Sequence, residues 1–184
     1  FKGGYMYVGQ ILKADTANGV GIRVSVFVSG CTIRCPGCFN AMTWDFCYGK
    51  PYTEETEQMI MDELARSYYT GITILGGEPF EPSNQEVIVT LIRRIKKELP
   101  EKTIWMYSGY VYDRDLVPGG RRYTPYTDEI LDNVDTMVDG PFIQAKKNLL
   151  LKFRGSENQR IIDMKATRRE ERVVLSPLNN VVSK

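Results

Sequence analysis

The chain of 184 residues contains no histidine. Histidine is the usual general base near neutral pH and the commonest metal ligand in proteins, so its absence excludes His-dependent catalytic triads and His-ligated zinc. The chain also lacks an excess of charge of either sign, because 24 Lys and Arg stand against 23 Asp and Glu. Such a balance gives no field strong enough to hold a polyanion, so we expect no nucleic acid partner.

Long apolar runs are absent as well. No run approaches the roughly 18 residues that a membrane-spanning helix needs, which predicts no membrane partner. Residues 1–6 show no cationic start followed by an apolar stretch and a small-residue cleavage site. All four cysteines lie between positions 31 and 47, too clustered to staple the whole chain through disulfides. We therefore expect a reducing location, the cytoplasm.

What is present is an alternation of strand and helix patterns in a chain of one domain's length. Strands are predicted at 22–28, 72–75, 103–107 and 136–138, and helices at 53–65, 83–99 and 127–133. We expect Ser83 and Glu86 to form a capping box at the start of the second helix. The order predicts an α/β fold, a compact partial (β/α) barrel with a mostly parallel sheet, although an open α/β sheet also fits.

The domain is expected to cover residues 1–165. Beyond it, residues 166–184 lose periodicity and carry a run of charges at 168–172, which predicts a C-terminal tail that is exposed or bound to a partner.

Glycines follow the predicted strands: Gly30, the pair Gly76 and Gly77, Gly109, and Gly140. Ligands of parallel α/β folds bind at the carboxyl ends of the strands, where glycine lets backbone amides approach them closely. We therefore expect a single site at this edge of the sheet.

Three cysteines share one loop in the spacing Cys31-x3-Cys35-x2-Cys38. Thiolates this close hold an iron-sulfur cluster or zinc. If Cys47 is a fourth ligand, the site is closed and structural, as in a zinc knuckle. If it is not, three ligands on a [4Fe-4S] cluster leave one iron without a protein ligand, where chemistry can occur.

The run Gly76-Gly77-Glu78-Pro79 follows another strand. Alone, it is typical of a tight turn between a strand and a helix. Beside an open iron it has a second interpretation, since an amino acid that chelates the iron needs its ammonium group held by a carboxylate and backbone carbonyls.

These two motifs together resemble the radical S-adenosylmethionine superfamily. Longer runs are similar to its compact branch, the activating proteins of the anaerobic ribonucleoside-triphosphate reductase. They are residues 15–23 (DTANGVGIR), 27–31 (FVSGC), 35–40 (CPGCFN), 43–44 (TW), 104–110 (IWMYSGY), 138–142 (VDGPF) and 153–160 (FRGSENQR). The resemblance covers residues 7–164, nearly the whole expected domain.

The resemblance implies a [4Fe-4S] cluster whose fourth iron binds S-adenosyl-L-methionine. It implies Cys31, Cys35 and Cys38 as cluster ligands. The residues that it implies around the cofactor are Gly37 and Phe39 beside the last ligand, Gly76, Gly77 and Glu78 at the methionyl ammonium, and Ser108 at the ribose or carboxylate.

The resemblance also implies a reaction in which no side chain acts as acid or base. The cluster, reduced by a one-electron donor such as flavodoxin or ferredoxin, cleaves S-adenosylmethionine, and the 5′-deoxyadenosyl radical takes hydrogen from a glycine of the large reductase subunit. Two alternatives stay open: a radical enzyme with a small-molecule substrate, as in the deazaguanine-forming branch, and a non-enzymatic zinc module held by all four cysteines.

Two further features are candidates for partner docking. The positive run at 93–97 is an ordinary solvated helix face or a surface for an acidic partner. Trp44, Tyr48 and Tyr52 either line the entrance for the target peptide or pack over the cluster loop.

Overall fold

The structure is a computed structural model that describes residues 5–182. The expectation about a leader sequence therefore falls partly on residues 1–4, outside the described range. The strands are β1 (Tyr7–Asp15), β2 (Arg23–Val28), β3 (Lys50–Pro51), β4 (Gly71–Gly76), β5 (Thr103–Tyr107), β6 (Thr136–Asp139) and β7 (Arg160–Asp163). The helices are α1 (Glu54–Leu64), α2 (Pro82–Glu98), α3 (Tyr112–Asp115), α4 (Thr127–Asn133) and α5 (Met164–Glu170).

The seven strands form one sheet in the order β3-β1-β2-β4-β5-β6-β7. The four strands β2, β4, β5 and β6 are mutually parallel, and antiparallel strands flank them on both sides. The predicted α/β class and parallel arrangement are confirmed. The sheet is open, with β3 and β7 at its edges, and the carboxyl ends of the four parallel strands meet at one side.

The central strands are largely apolar, as expected where other elements cover a parallel sheet. Val24, Val26, Ile72 and Ile74 are at most 1% exposed and pack in one core with α1, α2 and α4. Arg23 is an exception, since its buried guanidinium donates to the Thr73 hydroxyl and to the carbonyls of Ile72 and Thr103. It joins the amino ends of β2, β4 and β5, opposite the expected site.

Helix α2 begins one residue earlier than predicted, and the Ser83–Glu86 capping box is wrong. Pro82 occupies the first turn, where its fixed φ suits a helix start, and Glu81 is the N-cap residue. The Glu81 side chain makes no cap hydrogen bond. By contrast, Thr53 caps α1 as its sequence predicts, accepting from the Thr56 amide.

Helix α5 spans the boundary that the sequence predicts between the domain and its C-terminal tail. Asp163 caps this helix by accepting from the Ala166 amide, and Ala166 and Thr167 are buried. Arg168, part of the predicted charge run, pairs with Asp128 and Asp132 of α4. Beyond α5, residues 171–182 are half-buried or exposed.

Across residues 5–182, none of the helices is both long enough and apolar enough to span a bilayer.

Candidate functional site

A cavity of about 490 Å³ opens at the carboxyl ends of the parallel strands. Volumes of this order are typical of small-molecule and cofactor sites. Among the residues that line it are Cys31, Cys35, Cys38, Phe39, Gly76, Gly77, Glu78 and Ser108. The structure thus brings eight of the nine predicted site residues to one cavity. Gly37 is the exception.

Backbone hydrogen bonds shape the cysteine loop that follows β2. The Gly30 amide donates to the Thr43 carbonyl over 2.7 Å, and the Cys31 amide donates to the Trp44 carbonyl over 3.2 Å. Gly30 has φ +104°, a conformation that glycine adopts without strain. The loop therefore folds back on the residues after it, and its cysteines face the cavity.

The fourth cysteine lies elsewhere. Cys47 is exposed, does not line the cavity, and donates its amide to the Asp45 carboxylate. A closed four-thiolate site would need it beside the other three. Because three thiols share one cavity without Cys47, the donor set fits a cluster held by three cysteines.

The same thiols do not surround one point. Among residues 5–182, no three Cys, Asp or Glu side chains lie close enough together to bind a single metal ion. A cubane cluster differs from a zinc ion in this respect, because each thiolate binds a different iron. Burial raises the pKa of Cys31 to about 11 and also raises the pKa of Cys35. Thiols must be deprotonated to act as ligands, so metal binding here releases protons.

Gly76 and Gly77 bring the end of β4 against the cysteine loop. A Cβ on Gly77 would lie 2.7 Å from the carbonyl oxygens of both Gly30 and Thr43, and one on Gly76 would lie 2.5 Å from the Val28 carbonyl oxygen. The Gly77 amide donates to Val28 and the Glu78 amide to Gly30, each over 2.8 Å. No other residue type fits at Gly77 without displacing backbone. The tight turn at the end of β4 therefore also forms part of the cavity wall.

Glu78 is fully buried, and its carboxylate joins β4 to the end of β5. Its Oε1 accepts from the Gly109 amide over 2.7 Å, its Oε2 accepts from the Phe80 amide over 2.7 Å, and the Ser108 hydroxyl lies 3.0 and 2.9 Å from the two oxygens. Burial raises the pKa of Glu78 to about 8, although these three donors favour the ionised form. A cationic group in the cavity would favour the ionised form further.

Phe39, the predicted aromatic contact, lines the cavity, whereas Gly37 does not. Phe39 is 59% exposed, and its ring centroid is 5.2 Å from that of Phe142. Gly37 has φ +76° and faces Gln144, whose Oε1 is 2.6 Å from the position of a Cβ. Gly37 therefore shapes the turn between the last two cysteines.

A second buried carboxylate, Glu81, was not predicted from sequence. Its Oε1 accepts from the amide and hydroxyl of Thr32, beside Cys31, and from the Tyr110 hydroxyl. Arg122 donates to the Tyr110 hydroxyl over 2.6 Å and lies 3.6 Å from Glu81 Oε2. This cluster connects the cysteine loop to α2 and to the segments after β5. The only sequence signal was an acidic residue three positions after Glu78.

Sequence reasoning also missed much of the far wall of the cavity. Tyr107, Phe142, Phe153 and Arg154 line it. Three of them lie in the runs 138–142 and 153–160, where the resemblance gave them no roles. The Arg154 guanidinium donates to the carbonyls of Gln159 and Asn179, while its buried Nε has no hydrogen-bond partner among the described residues.

The positive run on α2 is mostly neutralised. Arg93 pairs with Glu129, Arg94 with Glu98, and Lys96 lies 3.8 Å from Asp135. These pairs favour the interpretation of an ordinary solvated face.

The three aromatic candidates after the cysteine loop separate in the structure. Trp44 lines the cavity. Tyr52 is buried and packs in the core, and Tyr48 lies over Gly9 on β1. Only Trp44 therefore remains a candidate for the entrance.

Comparison with known proteins agrees with this geometry. A family described as "4Fe-4S single cluster domain" matches residues 17–162. The anaerobic ribonucleoside-triphosphate reductase-activating proteins of Pasteurella multocida and Escherichia coli K12 are each 38% identical over 152 residues, which are 82% of this chain and 92% and 94% of theirs. The protein of that name from Enterobacteria phage T4 is 37% identical over 156 residues, 83% of this chain and 90% of its own.

Proposed function

Since the chain belongs to the family of anaerobic ribonucleoside-triphosphate reductase-activating proteins, we propose that it is a radical S-adenosylmethionine activase that generates a glycyl radical on the large subunit of that reductase. The observation that carries this proposal is the shared cavity of Cys31, Cys35, Cys38 and the Gly76-Gly77-Glu78 run, with Cys47 outside it. The proposal explains why a chain without histidine can be an enzyme.

The three cysteines of the loop hold a [4Fe-4S] cluster and leave one iron free of protein ligands. When bound, the cluster supplies one electron, received from a donor such as flavodoxin or ferredoxin, that cleaves S-adenosylmethionine so that its adenosyl part takes hydrogen from the target glycine. Glycine is a suitable target because no side chain blocks approach to its α-carbon. The protein positions the reactants and supplies no side-chain acid or base.

Gly76, Gly77 and Glu78 receive the methionyl ammonium. The donors on Glu78 already occupy both of its oxygens, so we assign the direct hydrogen bonds to backbone carbonyls of the glycine pair. Glu78 acts through its negative charge, at short range in a buried site. Ser108 holds the Glu78 carboxylate in place, and this role is added to its predicted contact with the ribose or carboxylate.

The aromatic residues exclude water from the site. Phe39 packs beside the adenine at the mouth of the cavity, and Gly37 contributes the backbone next to the last cluster ligand. Phe27, Trp44 and Phe153 line the interior. A dry site protects a reactive intermediate from side reactions.

The open sheet carries these residues as part of a partial barrel. The free cysteines support a reducing compartment, the cytoplasm.

The test is anaerobic reconstitution with iron and sulfide, reduction, and incubation with S-adenosylmethionine and the large reductase subunit. We expect methionine and 5′-deoxyadenosine to form, and a glycyl radical signal by electron paramagnetic resonance on the partner. Cleavage without a glycyl signal would favour the small-molecule branch. Stoichiometric zinc without iron in anaerobically purified protein would contradict the enzyme altogether.

A further inference from the structure

Residues 144–156, here called the leucine loop, project two apolar side chains into solvent. Leu149 is 78% exposed and Leu150 is 61% exposed. The Asn148 side chain accepts from the Leu150 amide over 2.9 Å, and the Asn148 amide donates to the Gly155 carbonyl over 3.3 Å. The turn is thus built to present these leucines. Burying a leucine side chain is strongly favourable, so neighbouring leucines that are this exposed mark interaction surfaces.

The base of the leucine loop is part of the cavity wall. Phe153, Arg154 and Gly155 line the cavity, and a Cβ on Gly155 would lie 3.4 Å from the Phe39 ring. Lys147 Nζ lies 5.2 Å from the centre of the same ring. A segment that reaches the cavity past Phe39 would therefore lie beside this loop.

The loop is also positively charged. Lys146, Lys147 and Lys152 are exposed, and within residues 5–182 none of them forms a salt bridge. The positive run on α2, by comparison, is largely paired with carboxylates. An apolar tip between unpaired lysines is complementary to a segment that is apolar at its centre and acidic at its flanks.

We propose that the leucine loop, together with Phe39, is the docking surface for the segment of the large reductase subunit that carries the reacting glycine. This inference rests on the proposed function, which requires that segment to reach the cavity. The leucines bury against its apolar centre, and the lysines meet its acidic flanks. A second copy of this chain is a poorer occupant, because a two-fold contact through the loop would bring the same lysines of both copies together.

The test compares the doubly substituted Leu149→Ser/Leu150→Ser protein with wild type, both as reconstituted holoenzyme. Burial of each leucine is worth about tenfold in affinity, so we expect binding to the purified large subunit to weaken about 10- to 100-fold. When the large subunit is present at a limiting concentration, the yield of glycyl radical should fall together with the affinity. Cleavage of S-adenosylmethionine under dithionite without the partner should stay within twofold of wild type.

The matched control is Met59→Ser/Leu175→Ser, which removes two exposed apolar side chains that do not line the cavity (40% and 52% exposed). It should bind the large subunit as wild type does. The triple change Lys146→Glu/Lys147→Glu/Lys152→Glu should slow association and reverse its dependence on salt, because added salt would then screen a repulsion.

Two outcomes would overturn the inference. One is binding of the large subunit by Leu149→Ser/Leu150→Ser within twofold of wild type. The other is a wild-type homodimer that these two changes dissociate, which would assign the loop to self-association. Failure of the proposed function would look different, since wild type itself would then produce no glycyl signal, whether or not it cleaves S-adenosylmethionine.

Discussion

The contact between the end of β4 and the cysteine loop makes Gly77→Ala a demanding test of the site's construction. The added methyl group would lie 2.7 Å from the carbonyl oxygens of Gly30 and Thr43 and 3.0 Å from the Gly30 nitrogen. All three are backbone atoms, so the strain cannot be relieved by rotating a side chain. Both oxygens also accept hydrogen bonds, from the amides of Glu78 and Gly30.

The cost follows from these contacts. Overpacking in a tight interior costs about 1–3 kcal/mol, and each weakened hydrogen bond adds about 0.5–1.5 kcal/mol. We therefore expect Gly77→Ala to lower the free energy of unfolding by about 2–6 kcal/mol, measured by urea denaturation of the cluster-free protein with an unchanged m-value. Iron bound after reconstitution should also fall, because the loop that carries the cysteines must shift.

Gly109→Ala is the matched control on the same edge of the sheet. Its nearest atom outside the glycine would be the terminal methyl of Ile33, 2.6 Å from the new Cβ, which can move by a rotamer change. The expected loss is below about 1 kcal/mol. Equal losses for the two alanine variants would refute the argument that backbone contact makes Gly77 irreplaceable.

Three further predictions concern buried carboxylates. Glu78→Gln places an amide nitrogen against either the Gly109 or the Phe80 amide. Unfolding by urea should therefore show a free energy of unfolding that is lower by about 1–3 kcal/mol. An unchanged free energy of unfolding would contradict the hydrogen-bond assignment. Glu81→Ala should reduce iron loading more than Glu81→Gln, since glutamine keeps an acceptor for Thr32. Equal iron loading of the two variants would be inconsistent with a role of Glu81 in holding the cysteine loop through Thr32. Burial raises the pKa of Glu57, so the stability of wild type falls as pH rises through that pKa. Denaturation at pH 4.5 and 7 should therefore show that Glu57→Gln becomes more stable relative to wild type at the higher pH. A difference in stability that is the same at both pH values would be evidence against this.

Local patterns predicted the elements whose boundaries are set locally. Strand β5 and helix α4 match their predicted ranges, because apolar periodicity and flanking turn residues define both. Helix α5 has the same length as α4 but was missed, because its buried positions are only Met164, Ala166 and Thr167 and a run of charges follows them. Helices this short are marginal alone and depend on tertiary packing, here against β6 and β7.

The site residues also divide into those that local patterns predict and those that only the fold brings together. The cysteine loop and the Gly76-Gly77-Glu78 run are continuous in sequence, so spacing and resemblance found them. The Glu81 cluster joins Thr32 to Arg122, 90 positions apart, and no local pattern encodes such a contact. The leucine loop reads in sequence as an ordinary apolar stretch, and only the fold shows that its leucines face solvent beside the cavity.

The proposed function depends on a cluster that three cysteines hold and that leaves one iron open. It is tested most directly by electron paramagnetic resonance of the reduced cluster in wild type and Cys47→Ser, with and without S-adenosylmethionine. We expect equal iron and sulfide in the two proteins and a spectrum that shifts in both when S-adenosylmethionine is added. Loss of the cluster in Cys47→Ser, or a wild-type spectrum that S-adenosylmethionine leaves unchanged, would contradict it.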